Sequence, residues 1–426
     1  MQHPTPPSWR ELWQVFGKIG LLSFGGPAAQ IALMHREIVE RKGWLSETAF
    51  LNGLGFCTLL PGPEAMQLAT YTGWKLKGTW AGLLAGCLFV LPGAIVVLFL
   101  SLLYVSFGSV PLVQSLFLGI KAAVLAIVVQ ALIKISRKAL TATSAWVLAG
   151  LSFAALFFFG VPFPLIVGVA AIYGATLRMG SASPHVASTT AVAWRTTLRT
   201  TAIWLFLWWA PLLLIIGVMP DGILSDMALF FSNLAVVSFG GAYALLAYMG
   251  QVAVETQGWL DASQMIDGLG LAETTPGPLI LVTQFVGFMG GFNSGGVAMA
   301  LAAVGVTLWA TFVPCFLWIF AGAPYVDAIS ANPRLRGALS GITAAVVGVI
   351  ANLALWFALH VVFAGLEQKS LGPLRLWSAD WTSASPQVLA LIAMSALLLF
   401  VFKQGIGVTL VICAVAALGM QNLLLA

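Results

Sequence analysis

The chain has 426 residues, of which 19 are basic and 14 acidic, with 60% apolar side chains, a formal net charge of +5 and a mean hydropathy of +0.99. Charged residues make up 8% of it, against about 25% in a soluble domain, so lipid must be the outer solvent. Soluble, disordered, collagenous and secreted disulfide-scaffold classes are excluded, and an all-α polytopic membrane protein is expected.

The first two apolar regions, Phe16 to Arg41 and Trp44 to Trp74, are interrupted by Gly25-Gly26-Pro27 and by Pro61-Gly62-Pro63. Such breakers stop a helix, and non-helical backbone at membrane depth survives only where protein or a watery cavity covers it. Residues 1–15 read as a short cytoplasmic segment. They carry no basic n-region or cleavage site, so the first membrane segment is expected to be retained. A span needs about 20 residues. The uncharged stretch from Lys77 to Lys121 holds two helices with a turn near Gly108 to Pro111, and Lys138 to Arg178 holds two more with a turn near Gly160 to Pro164. Arg199 to Asp221 holds one span. Glu273 to Asp327 holds one span and a shorter arm, Arg336 to Glu367 one span, and Asp380 onward a pair hinged at Lys403. Nine spans result, or about 9–10 if an interrupted region also crosses.

Arg36, Arg41, Lys42, Lys75, Lys77, Lys134, Arg137, Lys138, Arg178, Arg195 and Arg199 share one face if Trp44 to Trp74 is a re-entrant hairpin. The positive-inside rule makes that face cytoplasmic. The single crossing from Thr200 to Met219 then puts Asp221, Asp226, Glu255 and Asp261 outside and turns the second half upside down. The halves also repeat. At a constant offset of 215 (Ser238 on Ser23), Ser-Phe-Gly-Gly, Gly43-Trp44-Leu45 and Pro61-Gly62-Pro63 fall on Ser238 to Gly241, Gly258-Trp259-Leu260 and Pro276-Gly277-Pro278. Nineteen of the 48 positions from Phe16 to Pro63 are identical, and after a seven-residue insertion near Gly290 to Gly296 the match resumes with Gly119-Ile120 on Gly341-Ile342. Inverted repeats with interrupted helices at matching places characterise secondary transporters, whose sites lie at the repeat interface near the midplane. Taken singly, GG and PGP also read as packing kinks; the duplication favours a functional reading. The divisions expected are a first repeat over 16–178, a linker with one connecting helix over 179–230, and a second repeat over 231–426.

Gly25-Gly26-Pro27-Ala28-Ala29-Gln30, Leu60-Pro61-Gly62-Pro63-Glu64, Phe89-Val90-Leu91-Pro92-Gly93, Gly119-Ile120-Lys121-Ala122-Ala123 and Ala272-Glu273-Thr274-Thr275-Pro276-Gly277-Pro278 together resemble the chromate ion transporter family, whose long-chain members are fused, duplicated halves. The second repeat departs from the motif, with Ala242 in place of Pro27 and Leu245 in place of Gln30. The resemblance implies export of chromate from the bacterial cytoplasm across the inner membrane, driven by the membrane gradient.

A tetrahedral oxyanion needs donors and positive potential, and the helix N-termini after Pro63 and Pro278 supply both. Gln67 and Gln284 follow as amide donors, with Gly25, Gly26 and Gln30 counted among the anion-binding candidates; each glutamine also reads as a bridge between helices. Lys121 lies near the middle of a span, where a bare ammonium costs from about 2.5 kcal/mol upward and is functional by default. Its structural alternative is a buried salt bridge to Glu64 or Glu273. Those two carboxylates flank the PGP motifs and are candidates to carry a coupling proton; Glu64 also reads as a helix-dipole partner. Arg36 would attract anions at the cytoplasmic mouth, or be part of a solvated helix end.

The four cysteines, Cys57, Cys87, Cys315 and Cys413, stand singly and read as small buried hydrophobes, and the four histidines have no metal-ligand spacing, so neither metal nor cofactor is expected. No P-loop, HExxH or GxSxG motif is present, which disfavours a primary pump and an intramembrane enzyme on lipid-linked substrates. The expected partners are chromate or sulfate as a small anion, protons and the lipid bilayer, with no nucleic acid; a homodimer is an open assembly state. Chromate and sulfate share charge and shape, so a sulfate transporter mimicked by chromate is the competing reading.

Overall fold

In the computed structural model, residues 7–108, 110–177, 194–239, 242–326 and 332–425 are described. Gly240 and Gly241 of the second break, Arg178, Asp327 and residues 179–193 of the expected linker lie outside them.

Helix α1 (Trp9–Leu22) begins with a capping box in which Ser8 and Glu11 satisfy each other's backbone N–H groups. Its buried stripe of Leu12, Val15, Phe16 and Ile19 has helical spacing. The helix stops at Ser23. Gly25 and Gly26 take φ of +84° and +80°, and Pro27 in the first turn starts α2 (Gly26–His35), which continues as a π-helical turn over Arg36–Arg41. Ser46 caps α3 (Glu47–Cys57) by accepting from the Ala49 N–H, and α4 (Glu64–Lys77) opens directly after Pro63.

Both interrupted regions return to the face they start from. Lys18 Nζ reaches Glu37 Oε1 at 3.0 Å and Lys42 Nζ reaches Glu11 Oε1 at 3.6 Å, so α1 runs antiparallel to α2 and its π turn. Lys77 Nζ donates to the Pro7 carbonyl at 2.9 Å, which brings the end of α4 to the start of α1. Fourteen residues of α1 or α4 extend about 21 Å at 1.5 Å per residue, short of the ~30 Å hydrocarbon core, so each hairpin enters and turns back.

The long apolar helices follow: α5 (Thr79–Phe107), α6 (Pro111–Ala139), α9 (Trp194–Val218), α13 (Val282–Gly322) and α14 (Pro333–Val362). With the 3-10 turns flanking α13, these are, among the described residues, the five helices long and apolar enough to cross a membrane. Shorter apolar helices are α7 (Thr143–Phe157), α8 (Phe163–Leu177), α10 (Ile223–Val237), α15 (Pro386–Ala396, prolonged by a π turn over Leu397–Val401) and α16 (Ile406–Leu425). The remaining helices are α11 (Ala242–Gln251), followed by a π turn over Val252–Thr256, and α12 (Ala262–Thr274). Helix α13 is interrupted at Gly295 and Gly296, inside the seven-residue insertion, so the expected shorter arm and span are joined at that kink. Lys403, with φ of 52°, forms the expected hinge between α15 and α16. Like the π turns, an antiparallel hairpin of β1 (Leu366–Leu371) and β2 (Leu374–Ala379) has no counterpart in the sequence reading; it is in register from Leu366 opposite Ala379 to Leu371 opposite Leu374.

The chain folds into two compact units, each drawing segments from both repeats. The first comprises Met1–Phe99, Gly180–Ala242 and Thr275–Arg336. Within it α10 and α9 pack on α13, and Trp204 stacks on Phe316 at 5.6 Å between ring centres. The second comprises Leu100–Met179, Tyr243–Thr274 and Gly337–Ala426. Its helices approach through small residues: a Cβ on Gly119 would lie 2.1 Å from the Cys413 carbonyl oxygen, and one on Gly348 2.1 Å from that of Ala149. Close small-residue packing is the membrane substitute for a hydrophobic driving force.

Two opposite ends can be told apart in the second unit. Trp356 Nε1 donates to Glu255 Oε1 at 2.9 Å, and the Arg375 N–H donates to the Phe158 carbonyl at 2.7 Å. The end of α14, the π turn after α11, the end of α7 and the β-hairpin therefore share one end. That end is one helix length from Lys134, Arg137 and Lys138, since α7 starts beside Lys138 and ends at Phe157.

Candidate functional site

In the first unit the two broken regions exchange backbone hydrogen bonds reciprocally. The Gly62 N–H donates to the Ser238 carbonyl at 3.0 Å, and the Gly277 N–H donates to the Ser23 carbonyl at 2.9 Å. Ser23 and Ser238 end their helices in nearly the same conformation, with φ, ψ of −79°, 68° and −78°, 57°. Gly62 and Gly277 both take positive φ, +116° and +91°, which turns each N–H away from the helix that follows. A contact in which residue i meets j of the partner, and j meets i, is the mark of a two-fold relation.

Each PGP turn also seats against the other repeat's long helix at a proline. A Cβ on Gly93, beside Pro92 of α5, would lie 2.2 Å from the Pro276 carbonyl oxygen, and one on Gly62 would lie 2.9 Å from Sγ of Cys315, beside Pro314 of α13. Pro314 follows Pro92 by 222 positions, the same offset as Gly341 from Gly119.

The three glutamines brace this assembly. Gln30 Nε2 donates to the Gly277 carbonyl at 2.7 Å and the Ser23 carbonyl at 3.3 Å, and Gln67 Nε2 donates to that of Pro61 at 2.6 Å. Gln284 Nε2 donates to the Ala94 carbonyl at 2.8 Å. The amide oxygens of Gln67 and Gln284 are buried without a hydrogen-bond partner among the described residues. Leu245 in the second repeat cannot reproduce the Gln30 bonds, so the two-fold is broken there. Neither α4 nor the 3-10 turn Leu279–Leu281 that leads into α13 has a side-chain cap, and Pro63 and Pro278 stand at the cap positions. Those ends keep the partial positive charge of unsatisfied N–H groups. Glu64 is the first residue of α4 and is half-buried.

At the aqueous end of the same unit, exposed Arg36 lies on the π turn whose buried Glu37 takes Lys18 and Arg41 at 3.0 and 2.9 Å. His35 bridges Glu40 at 3.1 Å and Glu47 at 2.6 Å through its two ring nitrogens. Both partners are carboxylates, which favour the protonated ring, and its pKa is raised, chiefly by the hydrogen bond to Glu47.

Lys121, Glu273 and their partners belong to the second unit. Lys121 is the eleventh residue of α6. Its partner is neither Glu64 nor Glu273: Nζ lies 3.3 Å from Oδ2 of Asp267 and donates to Ser263 Oγ, both on α12. Tyr104 Oη, from the α5 segment of this unit, donates to the same Asp267 Oδ2 at 2.9 Å. Helices α6 and α12 approach closely enough that a Cβ on Gly270 would lie 2.3 Å from Ile120 Cγ2. Asp267 went unnoticed in the sequence because it sits mid-helix, away from any break motif; its being an acid where the first repeat has Asn52 was the available signal. Glu273 is buried in the last turn of α12 and accepts from Tyr243 Oη at 2.7 Å. Its offset counterpart is Thr58, and that of Tyr243 is Ala28, so this pair too exists in one repeat only.

A protein-family model described as Chromate transporter matches residues 10–175 and 225–420. Among named relatives, a chromate transport protein of Pseudomonas aeruginosa is 35% identical over 351 residues, covering 82% of this chain and 80% of its own. A probable chromate transport protein of Synechococcus elongatus is 30% identical over 82% of this chain and 84% of its own, and a chromate transport protein of Cupriavidus metallidurans 30% identical over 83% and 84%. No solved structure matches the chain. With two matches of the family model, one over each duplicated half, and these relatives along most of its length, the chain is a multi-pass membrane protein that belongs to the chromate transporter family.

Proposed function

We infer that the chain is a secondary active transporter that exports chromate from the cytoplasm across the bacterial inner membrane, coupled to the proton gradient. The observation that carries this reading is the reciprocal exchange between Ser23, Gly62, Ser238 and Gly277, which joins two broken regions of opposite repeats. Broken helices joined this way at membrane depth are the framework on which secondary transporters build ion sites. The uncapped ends after Pro63 and Pro278 supply positive potential for an oxyanion, and Lys121 supplies a fixed charge. Glu273, buried with Tyr243 as its donor, is the first choice for the coupling proton and Glu64 the second, since Glu64 lies in the first turn of its helix, where the dipole favours its ionised form. Arg36 raises the local anion concentration at the basic face.

Sulfate has the same charge and acceptor geometry, so it is expected to compete for the pathway. Both repeats lie in one chain, so one chain suffices for one pathway, and a homodimer would hold two. The test is efflux from cells loaded with labelled chromate. Cells making the wild-type chain should lose label faster than cells lacking it and faster than cells making Lys121→Met at equal membrane abundance; loss no faster than without the chain would reject export, and wild-type loss by Lys121→Met would reject the role of Lys121.

A further inference from the structure

Asp267 is held as an anionic ligand would be. Two donors from two helices, Lys121 Nζ at 3.3 Å and Tyr104 Oη at 2.9 Å, converge on one of its oxygens, Oδ2. The other oxygen, Oδ1, is buried and has no hydrogen-bond partner among the described residues. Native proteins rarely leave a buried acceptor unmatched, and an ionised carboxylate least of all, so this half of the site is unfinished. The fold itself does not require an ion pair here. At the matching places of the other repeat stand Asn52, 215 positions before Asp267, and Thr343, 222 positions after Lys121, both neutral. A buried ion pair is also a poor source of stability compared with well-packed neutral residues.

We propose that Asp267 is an internal stand-in for the transported oxyanion: its carboxylate occupies Lys121 and Tyr104 while the pathway is empty, and a tetrahedral dianion displaces it to take the same donors. This rests on the transport reading above and names the charge exchange within it. The displaced carboxylate then faces the like charge of the dianion and takes up a proton, leaving Lys121 to the anion. The charged and titratable groups around Asp267 are Lys121 on α6, Tyr104 on α5 and Asp261 at the head of its own helix. Acid therefore favours anion binding by weakening the competitor, and alkali favours the empty, self-paired state.

The test is equilibrium binding of labelled chromate to purified protein between pH 6 and 9, each variant compared with wild type at every pH so that the anion's own titration cancels. Asp267→Asn removes the competitor and keeps Lys121. It should bind about tenfold more tightly than wild type at the alkaline end, within the usual range of coupling between sites, and the advantage should shrink toward acid. Should that variant not fold, Lys121→Thr with Asp267→Asn copies the neutral pair of the other repeat; it should elute as a single species and lose chromate binding at every pH. Wild-type affinity with the wild-type pH profile in either variant would overturn the proposal and leave the transport reading standing. Wild-type protein that binds neither chromate nor sulfate would reject the transport reading and this placement with it.

Discussion

Gly93 and Gln30 show how single residues hold the broken backbone together. Gly93 has no room for a side chain, since its Cβ would meet the Pro276 carbonyl at 2.2 Å, whereas Gly55 has nothing within 4 Å of that position. Gly93→Ala should lower thermal stability in detergent by about 1–3 kcal/mol, the usual cost of overpacking, and Gly55→Ala should leave it nearly unchanged; equal midpoints for the two would contradict the packing described. Gln30→Leu copies the second repeat's Leu245 and strands the Gly277 carbonyl, so a loss of about 1–3 kcal/mol is expected in the same assay, and no change would mean the bond is not formed. For the buried pair, Lys121→Met and Asp267→Leu should each destabilise by about 3–5 kcal/mol and the double change by less than either, because only single changes leave an uncompensated charge. At this scale the sequence was partly legible. Lys121 is conspicuous as a charge inside an uncharged stretch, but which acid answers it depends on how α12 packs on α6, and local pattern does not encode that.

The re-entrant hairpins make their own predictions. Their positions were legible from the breakers Gly25-Gly26-Pro27 and Pro61-Gly62-Pro63, whereas their return to one face entered only as the condition under which the basic residues share a side. The π turns over Arg36–Arg41 and Val252–Thr256 were not, because their residues have ordinary helical composition. Nor was the β-hairpin, a short polar connection without the alternating pattern that marks a buried strand. His35 ties the end of α2 to the start of α3 through Glu40 and Glu47. Its folded pKa is raised above the usual 6.5, so the stabilisation is complete below that value and is lost as pH rises through the folded pKa. Thermal midpoints should fall between about pH 6.5 and 9 in wild type by more than in His35→Gln; parallel profiles would show that the bridge contributes nothing. The inversion is tested by Lys42→Cys and Gln257→Cys, which the 215-residue offset superposes. Impermeant reagents should label them from opposite faces, and labelling from the same face would remove the inverted repeat.

For the whole molecule, the sequence displayed the duplication openly, because nineteen identities in 48 aligned positions survive around the break motifs. The redistribution of both repeats into two mixed units was hidden, since the contacts that create it, such as Gly62 with Ser238 and Gly277 with Ser23, join segments 176 and 254 positions apart (238 − 62 and 277 − 23). The departures from two-fold symmetry, Gln30 opposite Leu245, Asp267 opposite Asn52 and Glu273 opposite Thr58, concentrate the polar chemistry at particular places in an otherwise matched pair of halves. If Glu273 carries the coupling proton, Glu273→Gln vesicles should exchange chromate across the membrane yet fail to concentrate it, while Glu64→Gln loses less; pH-driven accumulation by Glu273→Gln at the wild-type level would move the coupling elsewhere. The most direct test of the account is labelled chromate flux in proteoliposomes of the purified wild-type chain under an imposed pH gradient. The account predicts accumulation against the chromate gradient that reverses when the pH gradient is reversed and is reduced by sulfate. Flux no greater than in protein-free liposomes, or accumulation indifferent to the pH gradient, would contradict it.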